Sequence, residues 1–290
     1  MTTETYAPQA TRSSFAGTGM TPKLSFAGIL KSERIKLTSL RSFRITLLLT
    51  LLGGIGMSYL SGLALNSQYE YMQITPDQMP ADMLHGHLLG VATFSSALLA
   101  LIFGVLGVFA ISSEYSSGMI LSSLAAVPKR TPMYVAKGIV LAGISGLTAL
   151  VLMVIGLGIA VVFLPESAAQ LASSVVITGV LGAIAYLVLL ALLGFGVAAL
   201  LRSTAGGIAV VVGVTFVLPV LMQFLTLTSW EWVPTVSSYL PMSLGNSLSA
   251  GIVEVPEGSP NFWVALIAMA IWAIVPVVLG HITLKSRDAK

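Results

Sequence analysis

Three groups of residues carry side chains able to pair, ligate or react. Glu33, followed by Arg34 and Lys36, and Glu114, followed by Tyr115, set carboxylates beside cations or an aromatic ring, the chemistry of ion pairing and partner docking. Asp82, His85 and His87 supply the donor types of a metal site, but two histidines two apart on an irregular loop ordinarily face water. Gly143, Ser145 and Gly146 approach a nucleophile elbow without the G-x-S-x-G spacing. There is no H-E-x-x-H pair and no G-x-x-x-x-G-K-[ST] phosphate loop. With 0 cysteines, disulfides and thiolate chemistry are excluded. No catalytic residue and no metal centre is expected, and ATP chemistry would have to come from another subunit.

The elements that carry these residues are set by composition. The 290 residues are 56% hydrophobic and 9% charged, with a mean hydropathy of +0.95. That leaves too little polar surface to clothe a globule in water. The 28 glycines fit a bilayer, where they let helices approach closely and their backbone bonds cannot be exchanged for water. Six apolar runs are long enough to cross roughly 30 Å of hydrocarbon: about 43–65, 91–111, 134–164, 172–201, 207–227 and 262–284. The third and fourth exceed one bilayer thickness and are expected to tilt or project. Pro219 and Pro276 should kink the fifth and sixth. Residues 1–22 lack a signal-type apolar core and read as a disordered tail.

Orientation follows from the 14 basic residues. Seven, Arg12 to Arg44, precede or open the first span; Lys129, Arg130 and Lys137 join the second to the third; Arg202 follows the fourth; Lys285, Arg287 and Lys290 follow the sixth. The alternate connections carry Glu70, Asp77, Asp82, Glu166, Glu231, Glu254 and Glu257 and no base. The positive-inside rule therefore predicts six spans with both termini cytoplasmic. The net charge of +3 is a topological bias, and no nucleic-acid partner is expected. Between the ends of the spans there is essentially no ionisable side chain apart from Lys137 and His281, near the cytoplasmic boundaries, so no proton relay is expected.

Two cytoplasmic segments remain. Over 25–41 a helical plot gathers Phe26, Ile29, Leu30, Leu37 and Leu40 on one face, which predicts an amphipathic interfacial helix (residues 23–42) on the inner leaflet. Glu33 falls inside that apolar stripe, where it either pairs with Arg34 or Lys36 or reaches a cation on a docked partner. Between spans two and three, Ser112 or Ser113 is expected to cap a new short helix, with Glu114 at its positive end and Pro128 closing it. Its apolar members, including Met119 and Leu124, must dock on something. On the outer side, the stretch 228–261 with Trp230, Trp232 and Tyr239 predicts a short interfacial or re-entrant helix, a candidate lid.

These stretches resemble landmarks of the ABC type-2 permease family, in particular its actinobacterial exporter permeases. SERIKLTSLRSFRITL (Ser32 to Leu47) is similar to the entry into the first span, with Glu33, Lys36, Leu37, Arg41 and Ser42 matching. EYSSGMILSSLAAVPKRTPMYVAKG is similar to the coupling helix, with Glu114, Gly118, Pro128, Arg130 and Lys137 matching. YLPMSLGNSL from Tyr239 and the terminal SRDA resemble further family features, whereas Arg34 and Ile35 stand where members often carry a Trp.

The resemblance implies an all-α membrane domain over residues 43–290 in the cell membrane. It pairs with a second permease, identical or related, above two cytoplasmic ATP-binding subunits that hold ATP and Mg. It also implies a coupling surface of Glu33, Lys36, Glu114, Tyr115, Gly118, Met119 and Arg130. A substrate pathway for a drug, peptide antibiotic or lipid is expected along spans two and five, with Phe94, Phe103, Thr215, Phe216, Met222 and Phe224 as candidates. A membrane sensor or immunity subunit that binds a peptide outside is the alternative, ranked second because the outer loops are small; a passive channel ranks third.

Overall fold

The computed structural model describes residues 25–116, 130–256 and 258–286, and these are helical with no strand among them. Helix α1 (Phe26–Ser39) begins where the Ser25 hydroxyl accepts from Gly28 N at 3.1 Å. It ends at Leu40, whose extended backbone turns the chain into α2 (Arg41–Tyr71). Helices α3 (Ala81–Thr93) and α4 (Ser96–Ser116) form one broken span. Helix α5 (Arg130–Phe163) has 34 residues, about 50 Å at 1.5 Å per residue, and so outruns a bilayer core by several turns. Helix α6 (Ser174–Leu201) is capped by the Ser173 hydroxyl at one end and by Arg202 in the left-handed region (φ 52°) at the other.

The fifth span is composite: α7 (Thr204–Val212), a π-helical turn over Gly213–Val217, and α8 (Leu218–Leu225). The wide turn lies directly before Pro219, whose ring lacks an N–H donor and crowds the carbonyl four residues back. Two short helices follow, α9 (Trp232–Ser238) and α10 (Pro241–Ser249), and then α11 (Phe262–Ser286) with Pro276 inside it. Six segments are long and apolar enough to cross a membrane, which matches the expected count with boundaries extended at most ends.

Helix α6 is the centre of the bundle, with α4 and α11 along its flanks and α5, α7 and α10 around it. Its glycines permit this. A Cβ added at Gly194 would lie 2.0 Å from the Gly104 carbonyl oxygen, and one at Gly107 1.8 Å from that of Ala191, so α4 and α6 touch backbone to backbone. The core between them is filled by Leu106, Leu187, Leu190, Phe103 and Phe195. Helix α10 enters the bundle with Leu244 and Leu248 fully buried, and Gly182 lies against the Leu248 carbonyl. The expected single outer helix is therefore two: α9, whose first residue Trp232 stacks on Trp230 (5.7 Å), and the inserted α10.

Two expectations are corrected. Ser112 and Ser113 do not cap a new helix, because α4 runs unbroken through them to Ser116. The apolar face carrying Val108 and Ile111 continues into the packed side of that turn, and burial outweighs the capping preference of serine. The histidines are not on a loop: α3 carries both, and His87 is buried with its Nε2 bonded to the Ala160 carbonyl at 3.0 Å. His85 bonds instead to Gln170 at 3.0 Å. Two residues apart on a helix they point to different sides, and among the described residues no group of three metal-ligating side chains occurs.

Candidate functional site: a buried charge junction

The basic residues of the described chain gather at one end of the bundle, and there three helices place four charges together. Helix α1 buries Ile29, Glu33 and Leu37, one stripe at four-residue spacing that packs chiefly on α5. The centre of that stripe is a carboxylate. The last turn of α4 brings Glu114 to it, and the second turn of α5 brings Lys137.

Lys137 Nζ donates to Glu114 Oε1 at 2.8 Å and to Glu33 Oε2. Lys36 Nζ donates to Glu33 Oε1 at 2.7 Å and reaches Glu114 Oε1 at 3.4 Å. Each carboxylate thus contacts both ammonium groups, and the four formal charges cancel. Glu33, Glu114 and Lys137 are 1–2% exposed, while the Lys36 side chain, at 26%, opens to the surface. Burial by itself would pull the Lys36 ammonium down, but the hydrogen bond to Glu33 and the charges of Glu114 and Glu33 overcome it, leaving the group above the ordinary lysine value. Glu114 Oε2 has no hydrogen-bond partner among the described residues.

A second layer fastens the same end. The Arg130 guanidinium donates to the Leu284 carbonyl at 2.7 Å and that of Arg202 to the Thr283 carbonyl at 3.1 Å. Both cations thereby satisfy carbonyls in the last turn of α11, where the helix dipole favours positive charge. Arg202 also lies over the Tyr115 ring, 5.8 Å from its centroid. Tyr134 donates to the Val277 carbonyl at 2.9 Å, just past Pro276, and stacks on His281. The start of α5 and the ends of α4, α6 and α11 are thus tied together.

Of the seven residues expected in a coupling surface, Glu33, Lys36 and Glu114 form the junction, and Tyr115 and Arg130 stand in the layer beside it. Gly118 and Met119, like Pro128, lie outside the described residues. Glu33 resolves in favour of pairing within the chain, with Lys36 as partner and Lys137 as the second. Lys137 is the member that the coupling set omitted. Its signal was present: a lone ammonium on an apolar helix of 34 residues needs a carboxylate.

The six pathway candidates do not converge within this chain. Phe103 is in the core, and Thr215 is buried with its hydroxyl bonded to the Val211 carbonyl at 2.7 Å. Phe216 and Phe224 face outward and Met222 is half-buried, while Phe94 lines a cavity at the opposite end. Ser145 is buried in mid-helix.

The junction ties three helices together: charges in low dielectric attract strongly over short distances. No family model and no curated protein matches this chain.

Proposed function

We propose that this chain is the permease subunit of an ATP-driven exporter, moving a lipophilic or amphipathic substrate across the cell membrane. It works with a second permease and two cytoplasmic ATP-binding subunits, which supply ATP and Mg; lipid surrounds it, and its termini lie in the cytoplasm. One observation carries the reading: the buried junction of Glu33, Lys36, Glu114 and Lys137 binds the helix before the first span to both helices that bracket residues 117–129. A push delivered by a subunit docked beneath either segment would reach α4 and α5 directly, and through α4 the central α6. Between the charge junction and the opposite end of the bundle the spans carry no carboxylate that could relay a coupling ion instead.

The test reconstitutes the chain with the ATPase that co-purifies with it and compares transport with ATP turnover. Glu114→Gln keeps the shape and removes the charge, and is expected to lower transport at least tenfold while ATP hydrolysis persists. Glu114→Ala should do the same with a lower melting temperature. Transport and turnover that stay coupled in both variants, or a chain that recruits no ATPase, would refute the reading. The second outcome would favour a sensor.

A further inference from the structure

At the end opposite the charge junction, the break between α3 and α4 leaves a cavity of about 900 Å³. That volume lies within the roughly 300–1,000 Å³ that encloses a drug-sized molecule. Leu89, Phe94 and the ring of Tyr186 give it an apolar wall, and the C-terminal half of α10 closes one side.

Its polar groups are unspent. Tyr186 is 2% exposed, and its phenol end lies across Gly245, where an added Cβ would meet Cζ at 2.4 Å. Gly245 also lines the cavity, so the phenol end stands at its wall. No hydrogen bond is made by the Tyr186 hydroxyl among the described residues. Ser96 and Ser249, both buried lining residues, likewise have hydroxyls without a partner among the described residues, but neither oxygen is open to the cavity. A ligand that enters the cavity can pair with the Tyr186 hydroxyl at its wall and gain a hydrogen bond.

Charge narrows the class. The ionisable acidic and basic side chains lining the cavity are Asp82 and Glu254, both exposed at its rim, and His85, whose Nδ1 lies 3.8 Å from Asp82; no lysine or arginine lines it. We propose that this cavity binds a cationic amphipathic small molecule, with its apolar body on Leu89, Phe94 and Tyr186 and its polar groups on the Tyr186 hydroxyl. The cationic end faces Asp82 and Glu254. The proposal deepens the transport reading and rests on it only for treating the ligand as a substrate.

The full chain is tested in nanodiscs of zwitterionic lipid, with rhodamine 6G as the cationic probe and fluorescein as an anionic dye of related scaffold, both read by fluorescence anisotropy. Rhodamine 6G is expected to bind saturably at one site and fluorescein is not. Tyr186→Phe should weaken rhodamine 6G binding about threefold to tenfold, the value of one hydrogen bond. The pair Asp82→Asn with Glu254→Gln should weaken it about threefold at low salt and less at high salt, as screened rim charges do. Ala97 is exposed and lines the cavity, so Ala97→Trp should fill it without unfolding the bundle and abolish binding. Undiminished affinity in Ala97→Trp, or equal binding of the two dyes, would overturn the proposal. Saturable binding by a chain that recruits no ATPase would remove the transport reading and keep the site. ATPase recruitment without rhodamine 6G binding would do the reverse.

Discussion

Lys137 holds two buried carboxylates, and the consequence of losing it follows from that geometry. Lys137→Met leaves Glu33 and Glu114 sharing only Lys36, one excess negative charge in a buried site, at a cost of about 3–5 kcal/mol. Removing Glu114 together with it, as Lys137→Met with Glu114→Leu, leaves the neutral Glu33–Lys36 pair. Most of the lost stability should return. Thermal unfolding of both variants in detergent checks this, and two losses that simply add would show that the residues do not interact. Lys36 makes a separate, pH-dependent prediction. Its folded-state value is raised, so its contribution is fully present below the unfolded value of 10.5 and disappears as pH rises through the higher folded value. The gap in melting temperature between wild type and Lys36→Met should therefore be flat through neutral pH and close only in alkaline solution above about 10.5. A gap that closes on acidification instead would place the titrating group elsewhere.

Helix against helix, stability rests on how near the backbones come. The α4–α6 crossing has no room for a methyl group at Gly107 or Gly194, since each would overlap a carbonyl oxygen of the facing helix. Gly194→Ala should force the pair apart and cost at least about 1–3 kcal/mol, the usual penalty of overpacking. Gly143→Ala in α5 meets nothing within 4 Å and should be neutral or stabilising by up to about 1 kcal/mol. Melting temperatures of the two variants give the comparison, and equal shifts would mean that the crossing is not tight. The same contrast explains what could be read from residue order. Apolar runs revealed the six spans because length and hydropathy are local properties, and the unsatisfied Glu33 in the α1 stripe was visible for the same reason. Glycines do not announce their neighbours, so Gly107 and Gly143 look alike in sequence. Helix α3 was mistaken for a loop because Gly86 and its flanking histidines lower the hydropathy of a segment that Pro80 and Asp82 start well. The broken second span and the cavity beside it were hidden with it. The closing partner of Glu33 was likewise non-local, since Lys137 lies 104 residues away.

For the whole molecule, the governing asymmetry is electrical. The charge junction and the Arg130 and Arg202 caps occupy one end of the bundle, while Asp82 and Glu254 border the cavity at the other. The positive-inside rule would face the first end to the cytoplasm, set the ion pairs beside cellular ATP and turn the cavity outward. A chain with 0 cysteines makes this directly measurable, because every introduced thiol is the sole target of a maleimide. Glu231→Cys and Glu254→Cys, at exposed positions near the acidic end, should react with a membrane-impermeant maleimide in intact cells. Arg34→Cys and Lys285→Cys, exposed near the basic end, should react only after the membrane is opened. The reverse pattern would invert the topology and put the junction out of reach of ATP. A mixed pattern would mean that one of the six helices does not cross. Either result would remove the transport reading even if the junction and the cavity were built as described, because a motor on the wrong side of the membrane cannot push on α1.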